Sequence, residues 1–252
     1  MEKIFVRGLY FDNVTMAEAL VFAEEAMGGG SLRLVFTPNA EIAQACVENE
    51  DIRALVGNAD LLLPDGAGVV MASKILGTPL KEKVAGIDFA EGVLALSEIL
   101  GKKVFFLGGK PNVAETAKEK LLRRYPDLAI VGTHDGYFQK TGAENDAVLQ
   151  KINESGAEIL FVCLGAPAQE KWLCENKEKL ENIRLAAGLG GSLDVFAGVV
   201  KRAPKFFIKM KLEWLYRLIK EPRRIGRMMK LPKYILGAYR EKRKKLPQKT
   251  KS

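Results

Sequence analysis

Asp65 has the setting of a reacting group. It lies in Leu-Leu-Leu-Pro-Asp-Gly-Ala-Gly, residues 61–68. Three leucines read as the end of a strand buried on both faces. Pro64 stops that strand, because it has no N–H to give to a ladder. Gly66 and Gly68 permit tight backbone before the apolar run Val69–Leu76 resumes as a helix. A carboxylate at the carboxyl end of a central strand stands where open α/β sheets bind ligands, and there it can take a proton as a general base. The same position suits a helix N-cap, which Asp also serves well. The residues alone leave both roles open.

Other strand ends carry polar groups as well. Thr37-Pro38-Asn39 follows the apolar run Leu32–Phe36 directly. Gly108-Gly109, between a strand and a helix, can offer backbone N–H groups to a phosphate or nucleotide, although tight turns of this kind use glycine anyway. Pro111 after Lys110 excludes a Walker A loop. Asp135 and Tyr137 flank Gly136, where they either contact a base or sugar or only build a turn. His134 reads as a turn residue. Gln169 and Glu170 fall in the first turn of a helix, near its positive end. Gln169, an uncharged donor and acceptor, is a candidate ligand contact, whereas Glu170 reads first as favourable helix electrostatics. Gly188-Leu-Gly-Gly begins a dinucleotide fingerprint, but Leu193 replaces the last glycine, which argues against an NAD site. Asp-x-Asp occurs nowhere. Many nucleotide-sugar enzymes use such a pair to hold a divalent ion against a diphosphate. A diphosphate leaving here therefore needs another source of positive charge, and no metal or cofactor is expected.

The elements that position these groups alternate. Ile4–Tyr10 reads as a short strand. Thr15 and Glu18 form a capping box for a helix to about Met27, ended by Gly28–Gly30. Strand Leu32–Phe36 leads to a helix over Ala40–Glu48, and Asp51–Gly57 is a short helix before Leu61–Leu63. Asp88 and Glu91 make a second capping-box-like start, for a helix to Leu100. Val104–Leu107, Leu128–Val131, Glu158–Leu164 and Ile183–Ala187 read as strands. Helices are expected over Val113–Arg124, over Glu144–Glu154, and from Gly165–Glu170 to about Leu180. Alternation at a spacing of roughly 25–30 residues predicts a Rossmann-like α/β fold, with a mostly parallel, doubly wound sheet.

With 252 residues and 48% hydrophobic content, the chain can bury a large core. Cys46, Cys163 and Cys174 form no C-x-x-C pair, and so odd and sparse a set suits a reducing cytosol rather than a disulfide framework or zinc site. One histidine leaves a Ser-His-Asp triad or His-based metal cluster almost nothing to use. The segment Met1–Asn13 alternates charged and apolar residues too early for a signal peptide. No uncharged apolar run is long enough to span a bilayer.

The net charge of +8 is unevenly spread. Residues 201–252 carry 19 Lys+Arg against three acids, while residues 1–200 carry 20 basic and 28 acidic side chains. The expected boundary falls there, between an α/β domain over 1–200 and a basic helical C-terminal appendage over 201–252. Such asymmetry implies a polyanionic partner at one end only. Arg217, Arg224 and Arg227 stand at spacings that would place them within roughly an 80° arc of one helix, although Pro222 can open a second helix between them. Arginine clusters suit phosphate oxygens. Lysines interleaved with Phe206, Phe207, Trp214, Leu215, Met228 and Tyr234 describe a helix lying in an anionic membrane surface. A nucleic-acid arm is the competing reading, and phosphate-tracking arms rarely carry so many large apolar residues. Apolar strand–helix surfaces also allow a homo-oligomer.

Eight motifs then line up in order: Thr-Pro-Asn (37–39), Leu-Pro-Asp-Gly-Ala-Gly (63–68), Val-Ala-Gly-Ile-Asp (84–88), Phe-Leu-Gly-Gly (106–109), Asp-Gly-Tyr-Phe (135–138), Gly-Ala-Pro-Ala-Gln-Glu (165–170), Arg-Ala-Pro (202–204) and Glu-Trp-Leu-Tyr-Arg…Glu-Pro-Arg-Arg (213–224). Together they resemble the WecG/TagA/CpsF glycosyltransferases, and most of all the TagA members. The resemblance implies an inverting, metal-independent transferase, peripheral on the cytoplasmic face of the membrane. TagA members move N-acetylmannosamine from UDP to undecaprenyl-diphosphate-linked N-acetylglucosamine, the first committed step of wall teichoic acid assembly. By position, Asp65 corresponds to the proposed base, Thr37 and Gln169 to pocket residues, and Arg217, Arg224 and Arg227 to tail arginines that complete the site. Asn39, Lys83, Gly108, Gly109, Asp135, Tyr137 and Glu170 fill out the expected substrate-binding set. Two positions depart from the pattern. Lys83 replaces an arginine, keeping charge but losing a bidentate fork, and Ala168 replaces a lysine. The alternative within this class is the same fold transferring another UDP-sugar, such as N-acetylmannosaminuronic acid or glucose.

Overall fold

Six short apolar segments pair side by side into one parallel sheet: β3 (Arg33–Phe36), β4 (Leu61–Leu62), β5 (Val104–Gly108), β6 (Ile130–His134), β7 (Ile159–Cys163) and β8 (Leu185–Gly188). Their order across the sheet is β4-β3-β8-β7-β5-β6. The structure, a computed structural model, describes residues 1–204, 206–207, 210, 214–216 and 225–245. The inner strands β5, β7 and β8 are buried on both faces, so successive side chains feed two separate cores, while the edge strand β6 is only partly buried after Ile130. Val104 and Phe106 point into one core, where Phe106 stacks on Phe161 at 5.8 Å, and Phe105 and Leu107 point into the other.

The first core is covered by α1 (Met16–Gly28), α5 (Gly86–Ile99), α6 (Val113–Leu122) and α9 (Ser192–Phe196). Against the second lie α2 (Ala40–Glu48), α3 (Glu50–Gly57), α4 (Ala67–Leu76), α7 (Ala143–Glu154) and α8 (Ala168–Asn176). The expected α/β, doubly wound architecture is therefore present as helix, sheet and helix layers. The capping box at Thr15 forms as expected, Thr15 Oγ1 accepting from Glu18 N at 3.2 Å while Glu18 accepts from Thr15 N at 2.7 Å.

Three local expectations are corrected. The segment expected as one strand over 4–10 is a hairpin, β1 (Lys3–Val6) and β2 (Leu9–Asp12), because Arg7 and Gly8 both adopt left-handed backbone and turn the chain. Its last residue, Asp12, is buried and accepts from Leu62 N at 2.7 Å, satisfying a donor of the edge strand β4. Strand β6 runs later than expected and takes in Gly132 and His134, because Gly132 packs under the Phe105 ring, where a Cβ would overlap it. Finally, Asp88 and Glu91 form no capping box. The N-cap of α5 is Ala85, Asp88 receives both arms of the Arg202 guanidinium at 2.6 and 2.7 Å, and Glu91 accepts from Arg124.

Beyond residue 224 the chain forms α10 (Ile225–Met228) and α11 (Lys230–Lys245). Helix α11 lies on α2 and α4 and delivers Tyr234 and Ala238, both fully buried, into the second core. No described helix is long and apolar enough to cross a membrane.

Candidate active site

Strands β3 and β8 are neighbours, yet α2 and α9 leave their carboxyl ends toward opposite faces of the sheet. Divergent exits of this kind open a crevice at the strand ends. Thr37, directly after β3, is buried there and donates to Gly188 O of β8 at 3.0 Å. Gly86 brings the start of α5 against the same hydroxyl, since a Cβ at that position would stand 2.9 Å from Thr37 Oγ1. Gln169 fixes the third side. Its Oε1 accepts from Gly190 N at 2.9 Å and its Nε2 donates to Glu170 Oε1 at 2.9 Å, so its buried amide ties α8 to the glycine loop after β8.

Asp65 stands one strand further out, after β4. The N-cap of α4 is Gly66, with φ 82°, so Asp65 stands one residue ahead of the cap position. A hydrogen bond from Val84 N to Pro64 O, 3.1 Å, lays the segment carrying Lys83 alongside Pro64 and Asp65. Asp65 and Lys83 are both half-buried. Asn39 sits next to Gly66, but its Oδ1 is occupied as the cap of α2, accepting from Glu41 N and Ile42 N. Helices α4 and α5 begin at this mouth without a side-chain cap. Their first-turn N–H groups and positive dipole ends therefore face the same space as Asp65 and Thr37.

Gly108, Gly109, Asp135 and Tyr137 form a second group, at the ends of β5 and β6. Gly109 N donates to Cys163 O at 3.1 Å, Gly136 N to Gly109 O at 2.8 Å, and Tyr137 N to Asp135 Oδ1 at 2.8 Å. Asp135 thus closes an Asx turn, while the Tyr137 side chain is exposed. Gly108 has φ 130°, and a Cβ there would overlap Cys163 O. Gly108→Ala is accordingly expected to lose at least about 2 kcal/mol of stability through strain and overpacking, read by denaturant unfolding. Three strand spacings separate β5 from β3, roughly 14 Å. The two groups therefore face the same end of the sheet and together suit an elongated ligand rather than a compact one.

His134 is the last residue of β6, not a turn residue. Its Nδ1 meets Asp135 O at 2.7 Å and its ring packs edge-on against Phe138. Glu170 is nearly inaccessible, and its Oε2 finds no hydrogen-bond partner among the described residues. Burial pushes its carboxyl above the ordinary glutamate range. The folded state thus holds the proton to higher pH than the unfolded chain does. The stability this contributes is complete below the ordinary glutamate pKa and is lost as pH rises through the folded value. Glu170→Gln is expected to flatten that decline, measured as thermal midpoints between mildly acidic and mildly alkaline pH.

Arg217 and Arg224 lie outside the described residues, and Arg227 falls in α10. Sequence reasoning missed the contact of Gly86 with Thr37 and the Arg202–Asp88 fork. The Arg-Ala-Pro and Val-Ala-Gly-Ile-Asp motifs were the available signal, but nothing in either predicts that they meet. A broad depression elsewhere, between α7 and the turn at residues 177–179, is lined by Asp146, Glu154 and Glu181 against Lys179 alone, the wrong sign for a diphosphate.

A doubly wound parallel sheet whose polar loops meet two helix N-termini at the strand ends is the frame of α/β proteins that bind nucleotide-like ligands. Residues 4–248 match the Glycosyl transferase WecG/TagA/CpsF family, and the chain belongs to that family. It is 39% identical over 209 residues to an N-acetylglucosaminyldiphosphoundecaprenol N-acetyl-beta-D-mannosaminyltransferase of Bacillus spizizenii, covering 83% of this chain and 79% of that one. A protein of the same name from Bacillus subtilis is 37% identical, with 84% and 81% covered. Another from Staphylococcus aureus is 33% identical over 244 residues, with 96% and 94% covered.

Proposed function

We propose that this glycosyltransferase moves N-acetylmannosamine from UDP to the 4-hydroxyl of undecaprenyl-diphosphate-linked N-acetylglucosamine, in wall teichoic acid synthesis, as a peripheral protein on the inner face of the membrane. The observation that carries the reading is the position of Asp65, one residue ahead of the Gly66 cap of α4, at a mouth flanked by Lys83 and the starts of α4 and α5. Asp65 takes the proton from the acceptor hydroxyl as that oxygen bonds to the anomeric carbon. The bond from that carbon to the phosphate oxygen breaks in the same step, and UDP leaves with the electron pair. A single displacement inverts the anomeric centre. The departing charge is met without a metal ion, by Arg217, Arg224, Arg227 and the helix N-termini, a type of electrostatic stabilisation worth about 3–4 kcal/mol per donor in a dry site.

Two features support a role for the basic appendage over 201–252. Leu231, at the start of α11, fills the space beside Gly68 and Ala40, so the tail rejoins the domain at the first turns of α4 and α2, within a few residues of Asp65 and Asn39. Phe206, Met210, Ile225, Met229, Leu236 and Tyr239 are each more than half exposed among lysines and arginines, as a membrane-surface segment requires. UDP release measured over a panel of donors with a short-chain lipid-diphosphate-GlcNAc acceptor tests the reading. UDP-ManNAc is expected to turn over fastest, and only with acceptor present. Faster turnover of UDP-glucose or UDP-ManNAcA, or release independent of acceptor, overturns it.

A further inference from the structure

Arg7 is an unusual residue to find in a hairpin turn. It has left-handed backbone (φ 45°), which non-glycine residues seldom adopt, and its side chain is buried. Its guanidinium reaches the far end of the chain. Nη1 donates to Tyr234 O at 2.6 Å and to Gln44 Oε1 at 3.0 Å, and Nε donates to Glu241 Oε1 at 2.9 Å. The cation lies 4.9 Å from the centre of the Tyr234 ring, whose hydroxyl donates to Val6 O at 3.3 Å. Gln44 passes the network on to Glu48, which also pairs with Lys233. Gly237 leaves the room this needs, since a Cβ there would overlap the guanidinium. Among the described residues, every hydrogen bond of the Arg7 guanidinium thus goes to α11 or to α2, the helix beneath it.

We propose that Arg7 is a positioning residue for the transfer reaction: it clasps α11 in place, and so fixes where the chain following Arg227 rejoins the domain, with Leu231 at Gly68 and Ala40. The proposal rests on the function argued above. The chain is held at two points, by the Arg202–Asp88 fork before the tail arginines and by the Arg7 clasp after them. A buried cation with three hydrogen bonds is far harder to displace than surface ion pairs of the kind α11 makes through Lys233.

The test compares Arg7→Gly, which suits the left-handed backbone but removes the clasp, with Gly237→Ala, which attacks the same contact from α11. Hydrogen exchange over 230–245 is expected to rise about tenfold or more in both, with amides of β3, β5, β7 and β8 unchanged. Transfer should fall about tenfold or more, mainly in kcat rather than in the donor's KM, with partial recovery in Arg7→Lys. The double variant should be no worse than Arg7→Gly, because the overlap is then gone. Unchanged exchange over 230–245 overturns the clasp. Faster exchange with unchanged kcat overturns its role in positioning. Absence of mannosaminyl transfer by the unaltered protein overturns the functional reading instead, leaving the exchange result to judge the clasp.

Discussion

Asp65→Asn should lower kcat by about 100- to 10,000-fold at saturating donor and acceptor, the range expected when a general base is lost. Asparagine keeps the size and polarity of the side chain but cannot accept the hydroxyl proton. The loop is held through backbone bonds that the substitution leaves in place, Asp65 N to Leu63 O and Val84 N to Pro64 O. Matching thermal midpoints for the two proteins, alongside the lost turnover, is the expected result. Turnover within threefold of the parent at equal stability contradicts the base assignment.

Alanine at Arg224 or Arg227 is expected to cost about 100- to 1,000-fold in kcat each, as for removal of a donor aimed at developing charge. Lysine in their place should recover only part, since it meets two phosphate oxygens as a point charge rather than as a fork. The assay uses a short-chain acceptor in solution, so that membrane affinity does not enter. A loss seen only with acceptor embedded in anionic vesicles would make these residues membrane contacts rather than part of the site. The location of the tail's return, at Gly68 and Ala40, is what leads us to expect the loss in solution as well.

Much of the frame is legible in the residues. Runs such as Val104–Leu107 and Ile159–Val162 are buried on both faces, so their apolar continuity marks parallel strands directly, and the Thr15–Glu18 box marks a helix start. Asp65 and Thr37 are recognisable because a polar residue straight after such a run must lie at the ligand end of the sheet. What is not legible depends on contacts between distant segments. Asp88 has the spacing of a cap, but Arg202 takes it, and no local rule anticipates a partner 114 positions away. Gln169 has the chemistry of a ligand contact, while the structure spends both ends of its amide on Gly190 and Glu170. Arg7 reads as one charge in an alternating start, and only the docking of α11 gives it a buried role. The tail's basicity is plain from composition, yet Tyr234 and Ala238 belong to the core of the domain, which charge counting does not reveal.

We propose that the donor's diphosphate lies at the ends of β3, β4 and β8, against the first turns of α4 and α5. Hydrogen exchange with and without saturating UDP-ManNAc tests it most directly. Slowed exchange at Gly66–Gly68, Gly86–Asp88 and Gly188–Gly191 is the predicted result. Unchanged rates there, with slowing confined to the depression between α7 and residues 177–179, would contradict it.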